Sequence, residues 1–110
     1  MKAAQAIEAL GALAHRTRLE TFRLLVKAGP AGLPAGGIAA RLKAHPATMS
    51  HHLALLERAG LLTARRVSRQ VFYAADFGGM RALLAYLAED CCRGLPELGR
   101  SGGLREEIEA

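Results

Sequence analysis

Two adjacent thiols, Cys91 and Cys92, are the only cysteines in this chain of 110 residues. Thiolate sulfur is a soft donor suited to thiophilic metals and metalloids. Neighbours joined by a trans peptide have Cα atoms about 3.8 Å apart, short of the roughly 4.4–6.8 Å of ordinary disulfides, so a structural cross-link between them is disfavoured. The thiolate is the ligating form, and a free cysteine with pKa near 8.5 is mostly protonated at neutral pH. Glu89, Asp90 and the negative end of a helix dipole disfavour thiolate here, whereas Arg81 and Arg93 oppose them. Two readings stay open. The pair is a ligand site, or Cys91 continues the apolar stripe Met80, Leu83, Leu84, Leu87 into a core, which leaves Cys92, about 100° round the helix, unexplained. A thiol oxidoreductase would want Cys-x-x-Cys at a helix N-terminus, and the chain carries no other enzyme-like constellation.

A second chemistry lies in the segment 46–62, Pro-Ala-Thr-Met-Ser-His-His-Leu-Ala-Leu-Leu-Glu-Arg-Ala-Gly-Leu-Leu. On a helical wheel Met49, Leu53 and Leu56 share one face, with Ala47, Ser50, His51, Ala54 and Arg58 on the solvent arc. A major groove about 12 Å wide admits one such helix, and short polar side chains near its N-terminus can reach base edges. Thr48, Ser50, His51 and His52 are the candidate readers. His52, about 60° from the Met49 stripe, is equally suited to be a half-buried spacer. Arg65, Arg66 and Arg69 lie on the following hairpin and suit phosphates or a minor groove.

The positioning elements follow from periodicity. Ala3, Ile7, Leu10 and Ala14 define a first helix over roughly 2–14 whose stripe needs a partner helix. Thr17-Arg18-Leu19-Glu20 has the form of a capping box for a second helix with Leu19, Phe22, Leu25 and Val26 in the core, stopped at Gly29-Pro30. Ile38 and Leu42 share a face of a short third helix beginning near Pro34 or Ala35, and Lys43-Ala44-His45 turns into a fourth starting at Pro46. Residues 61–67 and 70–75 are β-prone runs around a Ser68-Arg69 turn. Asp76 caps a fifth helix that ends before Gly94 and Pro96. We expect a mainly α winged helix-turn-helix with a small β-hairpin, one domain over 1–95, and a flexible tail over 96–110.

Composition agrees. The 51% apolar content exceeds what one small core covers, so a homodimer is expected. Residues 1–75 hold eleven Lys/Arg against three Asp/Glu, a balance of +8, and residues 76–110 hold four against seven, −3, which together make the +5 of the whole chain. The basic part points to a nucleic-acid partner, double-stranded DNA. No segment approaches a membrane span, and a cytoplasmic location is expected.

The segments Leu13-Ala14-His15-Arg16-Thr17-Arg18-Leu19, Pro46-Ala47-Thr48-Met49-Ser50-His51-His52-Leu53, Leu56-x-x-Ala59-Gly60-Leu61 and Arg65-Arg66-x-x-Arg69-x-x-x-Tyr73 resemble the ArsR/SmtB family of winged-helix repressors over roughly residues 7–93. Arg16 departs from the proline usual there. The resemblance implies a homodimer built from first and last helices that represses from operator DNA until an inducer binds. The family's last-helix zinc site needs histidine, which this helix lacks, and its third-helix Cys-x-Cys is missing from residues 33–38. Tyr86-Leu87-Ala88-Glu89-Asp90-Cys91-Cys92 instead resembles the arsenite-sensing branch, without its third cysteine. That implies Cys91 and Cys92 as the metal site, with no constitutive cofactor and a trivalent arsenical, arsenite or methylarsenite, as inducer. Alternatives are a redox or persulfide sensor of the same fold, a cysteine oxidoreductase, or a module that binds protein rather than DNA.

Overall fold

Alanine decides how the first helix sits. In the computed structural model, which describes residues 1–89, α1 (Ala3–Leu13) buries Ala6, Ala9 and Ala12, whose small side chains let its backbone approach the rest of the domain closely. The larger residues of the expected stripe face outward, Ile7 being 69% and Leu10 42% exposed. The helix thus has two apolar faces, one spent within the protomer and one not.

The second helix, α2 (Arg16–Ala28), begins before the expected capping box. His15 is its N-cap, and its Nδ1 accepts the Thr17 N–H at 3.1 Å. Thr17 is already helical and its carbonyl accepts the buried Thr21 hydroxyl at 2.7 Å. That bond lets Thr21 join Phe22 and Leu25 inside, while Leu19, expected in the core, is exposed. Gly29, with φ of 83°, ends the helix as expected.

A short strand, β1 (Leu33–Pro34), was not expected. It precedes α3 (Ala35–Arg41) and α4 (Pro46–Arg58), and the wing follows as β2 (Leu62–Val67) and β3 (Gln70–Ala75). The sheet is antiparallel in the order β1-β3-β2, with Leu33 opposite Tyr73 and the hairpin in register from Leu62↔Ala75 to Val67↔Gln70. The expected hairpin is therefore two of three strands. Gly32, with φ of 72°, brings the chain so close to β3 that a Cβ there would collide with the Tyr73 carbonyl. Leu25, Ile38, Met49, Leu53, Leu56 and Leu61 are fully buried where α2, α3, α4 and the base of the wing meet.

The end of α4 is locked to α5 (Phe77–Ala88). Gly60, with φ of 82°, and Leu61 donate back to the carbonyls of Glu57 and Leu56, each at 3.0 Å, and the Asp76 N–H donates to the Leu61 carbonyl at 2.8 Å. Asp76 caps α5 as expected, its carboxylate accepting the Gly79 N–H at 2.9 Å. A Cβ on Gly79 would collide with the Gly60 carbonyl oxygen. Gly79→Ala should therefore lower stability by about 1–3 kcal/mol, the usual cost of overpacking. A urea unfolding midpoint unchanged from wild type would contradict this.

Only Leu83 of α5 is buried, and Leu84 and Leu87 are 56% and 53% exposed. The expected continuation of this stripe to Cys91, and the expected tail over 96–110, lie outside the described residues.

Candidate nucleic-acid interface

Helix α3 reverses into α4 through a turn that needs one left-handed residue. Lys43 takes it, with φ of 54°, and the N–H groups of Lys43 and Ala44 donate to the carbonyls of Ala40 and Ala39 at 3.3 and 2.9 Å. Glycine is usual at such a position, so lysine carries some strain there and sets a cation at the mouth of the motif. His45 caps α4, its Nδ1 accepting the Ala47 N–H at 3.1 Å, and Pro46 takes the first helical position as the sequence suggests.

Helix α4 is sided as its wheel predicts. Met49, Leu53 and Leu56 anchor it in the core, and Ala47, Thr48, Ser50, His51, Ala54 and Arg58 are exposed along the outside. Thr48, Ser50 and His51 thus reach solvent together near the N-terminal end, where a groove-seated helix meets base edges. His52 does not join them.

His52 is only 6% exposed, its ring centroid 4.7 Å from that of His15 and 6.2 Å from that of His51. The Arg18 guanidinium approaches its Nδ1 at 3.5 Å. Burial, and then the nearby His15, Arg18 and His51, push its pKa below the ordinary imidazole value. Of the two readings of His52, the spacer beneath the helix fits this geometry and a direct base contact does not.

The wing separates its three arginines. Arg65 is cross-strand from Phe72, its guanidinium 5.3 Å from that ring's centroid and donating to the Ala31 carbonyl at 3.0 Å. It is held against the sheet. Arg66, opposite Val71, points to the other face, and Arg69 sits in the two-residue loop whose first residue, Ser68, takes φ of 57°. Both are exposed.

Charge completes the surface. Residues 35–75 contain six Lys/Arg and one carboxylate, Glu57. That carboxylate adds to burial, the larger cause, in raising the pKa of Tyr73. Sequence reasoning overlooked Arg41 and Lys43, basic residues at the end of α3 and in the turn, although their position just before α4 was the signal. Among the described residues no group of three His, Cys, Asp or Glu is placed to hold a metal ion. Cys91 and Cys92 lie outside the described residues.

A small-residue helix beside a basic β-hairpin is an arrangement built to enter one groove of a duplex and grip its backbone. Residues 13–65 match the model of a helix-turn-helix domain family. Over 90 residues the chain is 30% identical to the transcriptional activator HlyU of Vibrio cholerae, covering 82% of this chain and 81% of that protein. A solved HlyU structure aligns with a TM-score of 0.65 at 29% identity, over 84% of this chain and 100% of that one. Another HlyU structure, described as reduced, gives 0.58 at 31% identity, over 77% and 90%. A homodimeric winged helix-turn-helix domain from Mycobacterium bovis, described as a possible ArsR-family regulator, gives 0.64 at 27% identity over 79% and 81%. A protein described as a possible transcriptional regulator for arsenical resistance gives 0.65 at 25% identity over 94% and 96%. With the winged helix-turn-helix in place and relatives that are regulators rather than enzymes, the chain belongs to the ArsR family of DNA-binding transcriptional regulators.

Proposed function

We propose that this regulator is a homodimeric repressor, released from its operator when a trivalent arsenical, arsenite or methylarsenite, binds Cys91 and Cys92. The observation that carries the reading is the exposed Leu84/Leu87 stripe of α5, which leads in sequence to the chain's two cysteines. Together with Ile7 and Leu10 of α1, that stripe leaves apolar surface suited to a second copy. The homodimeric neighbour and the neighbour described with arsenical resistance support the assignment. HlyU is an activator, so the sign of regulation is part of the proposal. The site of action is the cytoplasm, where the DNA is. Among the described residues no helix is long and apolar enough to cross a membrane.

Two thiolates suit a soft centre that already carries an organic group, or arsenite completed by hydroxide or an external thiol. Release requires that the arsenical bind the DNA-incompetent dimer better than the competent one. A duplex enriched by the protein from a random pool supplies the probe for a gel shift titrated with arsenite, methylarsenite, zinc and peroxide. Cys91→Ser and Cys92→Ser should each keep DNA binding and lose release by both arsenicals, because one thiolate cannot chelate. Methylarsenite should release wild type at least as effectively as arsenite. Release of both serine variants by arsenicals would remove the cysteines from the mechanism. The second reading is a redox or persulfide sensor, favoured by the HlyU structure described as reduced. It predicts release by peroxide or polysulfide and none by arsenicals.

A further inference from the structure

The best-connected polar group behind the interface is Arg18. Its Nε donates to the Ala12 carbonyl at the end of α1 at 2.6 Å, and its other arm approaches Nδ1 of His52 on α4 at 3.5 Å. One guanidinium on α2 therefore touches both the helix whose outer face is left for a second copy and the helix that reads DNA. His15, the cap of α2, lies against the same imidazole with its ring tilted by 47°. We propose that Arg18 and His52 are positioning residues for sequence discrimination: they set the roll of the recognition helix relative to α1, and do so only while His52 is neutral.

The chemistry follows from the donors. A guanidinium carries donors and no acceptor, so Nδ1 can pair with it only as an unprotonated acceptor, in the tautomer with the ring proton on Nε2. A second proton turns that acceptor into a donor and sets imidazolium against guanidinium. The titratable and charged groups facing the ring are His15 and Arg18 from α2 and its cap, and His51 from α4 itself. The Ala12 carbonyl of α1 is bonded to Arg18. None of these is a carboxylate, so an added proton meets no compensating charge. Because burial and these neighbours lower the folded-state pKa, the neutral arrangement is fully favoured above the ordinary imidazole value of about 6.5. It is lost as pH falls through the lowered folded-state pKa.

Roll of α4 matters to base contacts and little to phosphate contacts, which are long-range and tolerant. Acidification should thus lower affinity for a selected duplex while affinity for a scrambled duplex holds or rises, since added positive charge favours a polyanion. The test uses the full chain, a duplex it selects from a random pool, and a scrambled duplex of the same composition. The ratio of the two affinities is measured from about pH 7.5 to about pH 4.5, about two units below the ordinary imidazole value, so that the lowered pKa is crossed. Wild type should lose about tenfold in that ratio, the size of one specific contact. His52→Gln, which keeps an acceptor for Arg18 but cannot titrate, should hold its ratio constant over the same range. Arg18→Leu should lose about tenfold at pH 7.5 with an unchanged circular-dichroism spectrum, and Arg18→Lys, whose single nitrogen cannot serve both acceptors so well, should fall between. A flat wild-type profile, an equal acid loss in His52→Gln, or a folded Arg18→Leu protein with wild-type discrimination would each overturn the proposal. Should Arg18→Leu not fold, the comparison of wild type with His52→Gln decides alone.

Discussion

Leu84→Asp combined with Leu87→Asp should leave the chain monomeric and weaken its binding to a selected duplex by at least about a hundredfold, the low end of what linking two half-sites contributes. Both leucines are more than half exposed and belong to α5, while Ile7 and Leu10 present a comparable face on α1. Burying one such side chain contributes about 1.5–3 kcal/mol. Four from each protomer would offset the roughly 4–15 kcal/mol that association costs in lost freedom. A two-fold interface meets its own surface, so every aspartate introduced appears twice and like charges are forced together in a drying contact. Because these side chains support little of the protomer's own core, the monomer should keep its helical spectrum. Sedimentation at micromolar concentration gives the result directly, and a double variant that still sediments as a dimer would place the interface elsewhere.

The features read correctly from the sequence are those fixed by neighbours in the chain. The hairpin register around Ser68-Arg69, the Asp76 cap, Pro46 at the first turn of α4 and the buried Met49/Leu53/Leu56 face all depend on residues within a few positions of one another. What the sequence left open or did not show has the opposite character. Strand β1 is two residues long and includes a proline, and it exists only because β3 offers its edge some forty residues later. His52 stands at the margin of its helical wheel, and what draws it inside is His15 and Arg18, more than thirty residues upstream. In α1 the bulky Ile7 and Leu10 dominated the periodicity, whereas the alanines that face the core carry a weak hydrophobic signal and a strong packing one.

Local pattern also misled where two residues competed for one role. Thr17-x-x-Glu20 has the right spacing for a cap, yet His15 supplies the acceptor two residues earlier, with an imidazole nitrogen in place of a hydroxyl. Arg65 shows the same limit on the wing. Sequence alone groups it with Arg66 and Arg69, but the cross-strand Phe72 and the Ala31 carbonyl draw its charge back onto the body of the domain. The thiol pair lies outside the described residues, so its reading rests on sequence chemistry and on relatives.

That separation of the arginines gives the steepest expected dependence. Beside Arg65, which is exposed but bonded to the Ala31 carbonyl, Arg41, Lys43, Arg58, Arg66 and Arg69 are five further exposed cations per protomer around α4 and the wing, so a dimer can make about six to ten phosphate contacts. Affinity should then fall by roughly 10³ to 10⁵ between about 50 and 200 mM salt, as condensed counterions are no longer released favourably. Arg69→Ala at the tip of the wing should reduce the salt slope by about one for each protomer and weaken selected and scrambled duplexes alike. Ser50→Ala or His51→Ala should leave the slope in place and cost about 1–3 kcal/mol on the selected duplex only, because those side chains are presented to base edges rather than to phosphate. Titrations over a salt series separate the two effects. An unchanged slope in Arg69→Ala would take the wing off the backbone, and equal losses on both duplexes for the α4 variants would mean that this helix grips DNA without reading it.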